Sequence, residues 1–299
     1  MCRHVAYLGP PATLASLLID PPHSLYRQAW APRRQRYGTV NADGFGIGWY
    51  AAGDPVPARY RRDVPIWGDE SLADLARVTR SGAVLAAVRS ATAGTAHGAE
   101  AAAPFGHGRW LFSHNGAASG WRDWAEQALV RLRQARGGDD RRPGAPGTTA
   151  NANGGIGPSV LSAVESLVDS AVLWALVLDG LRAGRDLGGA LAATTEAVAA
   201  AGGTGRFNFL LTDGRSVAAT ACGDTLCYRQ AGGALTVASE PDDDQPGWTE
   251  VPDRHLLTAT AGAVRVRPLA QAAVAPLTPL TTCTDSTDSD VRTEGIVIA

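Results

Sequence analysis

The 299-residue sequence is short of several things that define whole classes of protein. It has four cysteines, Cys2, Cys222, Cys227 and Cys283, and no C-x-x-C pair among them. The five-residue step from Cys222 to Cys227 fits no common zinc spacing. Six histidines form no H-x-x-x-H pair or similar cluster, so a metal site is not expected. Free thiols favour a reducing compartment, and a cytoplasmic setting is the expectation. No basic segment leads into an apolar one near the start, which argues against a signal peptide. No apolar run reaches the roughly 18–20 residues of a membrane span; the most apolar stretch, AVLWALVLDGL (171–181), is interrupted by Asp179. A net charge of -2 and only short arginine clusters (33–36, 59–62) give little support to a nucleic-acid footprint.

What is present is enough apolar residue, 45%, for a sizeable core. CRHVAYLG (2–9) alternates, with Cys2, His4, Ala6 and Leu8 on one face of a strand and Arg3, Val5 and Tyr7 on the other. Pro10 and Pro11 are expected to stop it. A short helix follows at 13–19, then a glycine-rich turn feeding a strand (41–50), a helix (70–79) and a buried strand (83–90). RWLFSHNG (109–116) reads as a strand ending in an Asn-Gly turn, and 121–134 as an amphipathic helix. Residues 135–158 are Gly, Ala, Pro and Asn and read as a flexible surface insertion. Helices are expected from about 160 to 183 and over 187–201. Strands dominate again from 206 to 268, and 269–299 reads as a frayed tail. Strands, then helices, then strands predict an α+β domain over 2–268 with packed sheets.

The chemistry begins at Met-Cys. A small residue at position two permits removal of Met1, which leaves Cys2 with a thiol and a free α-amine. Such an amine titrates at roughly 7.7–8, so one residue holds both nucleophile and base. Three other stretches could complete a site. Arg89, behind the apolar run of AVLAAVRS, could grip a carboxylate bidentately. Asn115 and Gly116 offer a side-chain amide and an unobstructed backbone N–H, the two donors of an oxyanion hole. Asp169 could pair with an ammonium group, although Ser166-Leu-Val-Asp169 also fits a helix capping box. Taken singly, each has a structural explanation; together they make a constellation.

That constellation resembles the class II glutamine amidotransferase family: the Met-Cys start, Arg89-Ser90-Ala-Thr92, Asn115-Gly116 and Val168-Asp169-Ser170. In the family's sugar-aminating members the arginine motif is Arg-x-Ala-Thr-His-Gly; here Ala93 occupies the histidine position. NADGFGIGWY, IWGDESL, APFGHGRWLFSHNG and ASEPDDDQPGW extend the resemblance over about 2–268. It implies a four-layer αββα sandwich, the N-terminal nucleophile hydrolase fold. It implies a small-molecule γ-glutamyl substrate and no cofactor, metal, nucleic acid or membrane, and leaves a homo-oligomer open. Cys2 would attack the γ-carbonyl, with Asn115 and Gly116 at the oxyanion. Arg89 and Asp169 would hold the glutamyl α-carboxylate and α-ammonium, with Ser90, Thr92, Ser170, Asp43 and Gly44 around them. The rival readings are a general glutaminase or an ammonia-donating subunit with a separate partner, the lack of a synthetase domain after residue 270 counting only against a self-contained amidotransferase, and an inactive binding protein of the same fold. His114, Ser239 and Glu240 lie near the matched motifs and read as structural.

Overall fold

The computed structural model describes residues 2–91, 95–137 and 164–270. The first strand, β1 (Arg3–Thr13), leads into helices α1 (Leu14–Leu18) and α2 (Leu25–Gln28). Then come strands β2 (Phe45–Trp49) and β3 (Ala58–Arg62), helix α3 (Leu72–Val78), and strands β4 (Arg80–Val88), β5 (Phe105–His107) and β6 (Trp110–Ser119). Three longer helices follow: α4 (Trp121–Gly137), α5 (Asp169–Arg182) and α6 (Leu187–Ala200). The described chain closes with β7 (Thr204–Thr212), β8 (Val217–Ala221), β9 (Cys227–Ala231), β10 (Ala234–Ala238), β11 (Thr249–Glu250), β12 (His255–Thr260) and β13 (Ala263–Pro268).

The strands form two antiparallel sheets, ordered β11-β9-β10-β1-β4-β2-β3 and β13-β12-β8-β7-β6-β5. Three apolar layers follow from strand alternation. Ala6, Leu8, Leu85, Leu111, Leu210 and Leu257 meet between the sheets. Val5, Phe45, Ile47 and Val88 face the other way and bury Leu14, Leu18, Leu25 and Leu72 of α1, α2 and α3. Phe112, Phe207 and Phe209 face α4, α5 and α6, where Trp124, Trp174 and Leu191 cover them. This is the expected αββα sandwich.

Four local expectations are corrected. Pro10 and Pro11 do not end β1, which continues to Thr13. Beyond Leu8 the strand pairs only with β4, after a register shift, because pairing with β10 ends at Leu8↔Leu235. A missing N–H there costs no ladder bond. Asn115-Gly116 is no turn: β6 runs through it to Ser119, paired with β7 throughout. The helix expected from about 160 begins at Asp169. Helix α4 extends to Gly137, three residues into the stretch read as an insertion; 138–163 lies outside the described residues, as does 271–299.

Candidate active site

Cys2 stands one residue before β1, on the face that β1 turns toward the second sheet. Two hydrogen-bonded contacts pin this end of β1. His4 Nδ1 meets Ser113 Oγ of β6 at 3.1 Å, and His4 N–H donates to Ser239 Oγ at 3.0 Å. Burial pushes the His4 imidazole down to about 3, so it is neutral near pH 7. Cys2 is half-buried. Cys222 and Cys227 are buried, and desolvation pushes both thiols up, Cys222 to about 11. Neither is a nucleophile near neutrality.

Cys2 opens onto a cavity lined also by Arg89, Ser90, His114, Gly116, Asp169 and Ser170. Six of the residues read as site residues in the sequence, Cys2, Arg89, Ser90, Gly116, Asp169 and Ser170, therefore share one space. Gly116 presents its N–H there for a reason set by the ladder. Phe207, its partner on β7, directs its own N–H to Cys222 O and receives Thr220 Oγ at its carbonyl, both on the β8 side. The Gly116–Phe207 pair is thus a non-hydrogen-bonded one, and Gly116 N–H points away from β7. Ala118 N–H points the same way and is taken by Asp169 Oδ2 at 2.9 Å. Glycine is required at 116: a Cβ would lie 2.0 Å from Arg206 O and 2.6 Å from the His114 ring.

Asn115 faces the opposite way, between the sheets. It is wholly buried, its Oδ1 has no partner, and its Nδ2 reaches Ser239 Oγ only at 3.5 Å. It stands behind the cavity and adjoins the Cys2 end of β1 through Ser239, with amide capacity unused.

Asp169 is the first residue of α5, and the capping box is not formed. Val168 occupies the N-cap without a side-chain bond, and Ser166 Oγ has no partner. Asp169 instead ties α5 to β6 through Ala118 and accepts Ser170 N–H at 2.8 Å on Oδ1. A carboxylate at a helix start also meets the positive end of the helix dipole.

Arg89 is one residue beyond β4 and 7% exposed. Its guanidinium donates to Asp43 O at 3.2 Å, Ala96 O at 2.9 Å and Thr95 Oγ1 at 3.4 Å. Asp43 and Gly44 stand behind it. Arg89 N–H donates to Gly44 O, Asp43 N–H to Arg89 O, and Asp43 Oδ2 accepts Ala91 N–H at 2.7 Å. Gly44 has φ +124°, open to glycine, and a Cβ there would meet Arg62 O at 2.8 Å. Thr92 lies outside the described residues.

His114 is the residue that sequence reasoning placed outside the site. Its Nε2 donates to Arg206 O at 2.8 Å and its Nδ1 lies 3.0 Å from Ser170 Oγ. Burial pushes the ring down, against the pull of Asp169, and keeps it neutral. A neutral ring with Nε2–H accepts at Nδ1, and the Ser170 hydroxyl lies between that nitrogen at 3.0 Å and Asp169 Oδ1 at 3.3 Å. The imidazole forms part of the cavity wall under Gly116. Strand parity gave the signal: His114 and Gly116 share the face toward α5.

The αββα sandwich is the fold of the N-terminal nucleophile hydrolases, and Cys2 opens into a cavity at the end of it. Residues 18–131 match the model of class II glutamine amidotransferases. The chain is 42% identical to γ-glutamyl-hercynylcysteine sulfoxide hydrolase of Mycolicibacterium smegmatis, over 90% of this chain and 100% of that one. It is 37% identical to the hydrolase of the same name from Mycobacterium tuberculosis, over 91% and 98%. A solved glutamine aminotransferase class-II domain protein from Silicibacter pomeroyi superposes with a TM-score of 0.57 at 26% identity, over 90% of this chain and 100% of that one. The chain belongs to the γ-glutamyl-hercynylcysteine sulfoxide hydrolase family of the class II glutamine amidotransferases. It is an enzyme, a hydrolase. No helix among the described residues is long and apolar enough to cross a membrane.

Proposed function

We propose that this enzyme removes the γ-glutamyl group from γ-glutamyl-hercynylcysteine sulfoxide, giving hercynylcysteine sulfoxide and glutamate, with Cys2 as nucleophile. The observation that carries the reading is the Gly116 N–H, turned out of its ladder into the cavity that Cys2 lines. Removal of Met1 frees the Cys2 amine, which takes the thiol proton directly or through a water. The sulfur bonds to the γ-carbonyl carbon, and the oxygen charge that develops meets Gly116 N–H and the Asn115 amide. The carbon–nitrogen bond breaks, and the leaving amine takes back the proton. Water then attacks the thioester, releasing glutamate and restoring the thiol. Arg89 holds the α-carboxylate and Asp169 the α-ammonium, fixing the γ-carbonyl over the sulfur. Ser170 and the neutral His114 hold Asp169 and the cavity floor in place.

The test is glutamate release from γ-glutamyl-hercynylcysteine sulfoxide and from glutamine, side by side, on protein whose measured mass begins at Cys2. A large preference for the sulfoxide is the expected result. Equal or better turnover of glutamine would overturn the substrate assignment and leave a general amidase.

A further inference from the structure

The face of β7 turned toward the first sheet carries Arg206 and Asn208. Asn208 is paired with Asn115, and Arg206 lies two residues further along, opposite Ala117. Side chains at such a diagonal stand roughly 7–8 Å apart. The Arg206 side chain is 9% exposed, and its Nε is 3.3 Å from Asp224 Oδ2. Its guanidinium lies over the Tyr37 ring, 4.1 Å from the centroid, and Tyr37 itself is exposed. Its terminal nitrogens donate to no protein acceptor among the described residues.

Behind it sits Arg3, the residue that follows the nucleophile. Arg3 is wholly buried, with its nearest carboxylate oxygen, Asp224 Oδ1, 3.8 Å away. None of its three guanidinium nitrogens has a hydrogen bond, and neither has either Asp224 oxygen. Two guanidiniums thus share one carboxylate that satisfies neither. Glu240, the other acid near Arg3, is already occupied by the N–H groups of Arg33 and Arg34 at 2.9 and 2.7 Å. Burial pushes Arg3 down and Asp224 up despite their pairing, the mark of charges with too few partners. The cluster has donor capacity to spare.

This cluster and the Arg89–Asp169 cavity share no residue. With a glutamyl head in that cavity and its γ-carbonyl at Cys2, the Arg3–Arg206 side is left for the departing amine. A cysteine-derived leaving group carries a carboxylate one carbon from its nitrogen; ammonia carries none. We infer that Arg206, oriented by Asp224 and Tyr37 and backed by the charge of Arg3, binds the α-carboxylate of the leaving amine and selects γ-glutamyl amides of α-amino acids over glutamine. The assignment rests on the γ-glutamyl hydrolase reading above. A planar guanidinium with two free terminal nitrogens suits a bidentate carboxylate, and Asp224 and the Tyr37 ring fix its plane.

The experiment compares kcat/KM for γ-glutamylalanine and γ-glutamylalaninamide, which differ only in that carboxylate, in the wild type, Arg206→Gln and Arg206→Lys. The wild type is expected to prefer the free carboxylate at least tenfold. Arg206→Gln should bring the ratio close to one, and Arg206→Lys should restore part of it. A merely structural Arg206 would lower both rates and leave the ratio unchanged, which would overturn the inference. Equal wild-type rates on the two dipeptides would overturn it too, whether or not the variants fold. If the wild type releases no glutamate from γ-glutamyl-hercynylcysteine sulfoxide, the underlying hydrolase reading fails and takes this inference with it.

Discussion

Two of the cavities among the described residues have opposite characters. The one beside Cys2 has room for about 20 Å³, little more than a single water needs. A second, of about 520 Å³, lies at the far end of the β6-bearing sheet, among Trp110, Leu181, Leu187, Val217, Thr258 and Arg265. Size alone would place the chemistry in the second. The first holds a thiol, an unpaired strand N–H, a carboxylate and a guanidinium in one small space. The second offers apolar walls and arginines at its rim, with no residue of the catalytic constellation. On the function proposed above, convergent donors and a nucleophile locate the reaction, and volume does not. In the small cavity Arg89 spends its donors on Asp43, Thr95 and Ala96. A glutamyl head enters by exchanging those bonds for its own.

Cys2→Ala removes the thiol from the small cavity while keeping a small residue at position two, and so keeps Met1 removal. Loss of a covalent nucleophile costs on the order of 10⁴-fold or more in turnover. Glutamate release should fall to background while the melting temperature stays close to that of the wild type, since Cys2 is only half-buried. Retained turnover in a folded variant would move the chemistry out of the small cavity.

Arg89→Lys should have the next largest effect. An ammonium cannot reproduce a planar fork, and a hydrogen bond to a charged group is worth about 1.5–3 kcal/mol, roughly ten- to hundredfold in binding. Steady-state kinetics should show KM raised by that factor with kcat changed less. An unchanged KM would mean that the Arg89 bonds to Ala96 and Thr95 are permanent structure, and that the substrate carboxylate sits elsewhere.

Much of this was legible in the sequence, and what was not follows a pattern. The αββα layering and most element positions came from periodicity, and Cys2, Arg89, Gly116 and Asp169 came from residue chemistry joined to a family resemblance. Strands β3, β5, β11 and β12 were not singled out; ARYRR, for example, has no apolar alternation because it is a sheet edge, with only Tyr60 and Arg61 half-buried. The Asn-Gly pair looked like a turn because that dipeptide favours one, yet β7 and the close approach of Arg206 O hold it in a strand. The Ser166–Asp169 spacing looked like a cap because capping is a local rule, whereas Asp169 is claimed by Ala118 from a strand 51 residues away in the chain. His114 escaped for the same reason. Its partners, Ser170 and the Arg206 carbonyl, lie 56 and 92 residues along the chain, and no local pattern encodes them.

The smallest effect belongs to the large cavity, and it is the one that isolates the role of volume. Arg265 projects from β13, the edge strand of its sheet, and lines the large cavity. It is exposed and makes no ion pair among the described residues. Exposed substitutions away from special contacts change stability by about 0.5 kcal/mol or less. Arg265→Ala should therefore leave kcat/KM for γ-glutamyl-hercynylcysteine sulfoxide within about twofold of wild type, on the same stability scale. A tenfold loss in a variant of unchanged melting temperature would show that the two cavities are energetically linked. The natural link would be β6, which contributes Trp110 to the large cavity and Gly116 to the small one. Without such a loss, the large cavity stands apart from the reaction, and the chemistry is confined to the end of the sandwich where β1 begins.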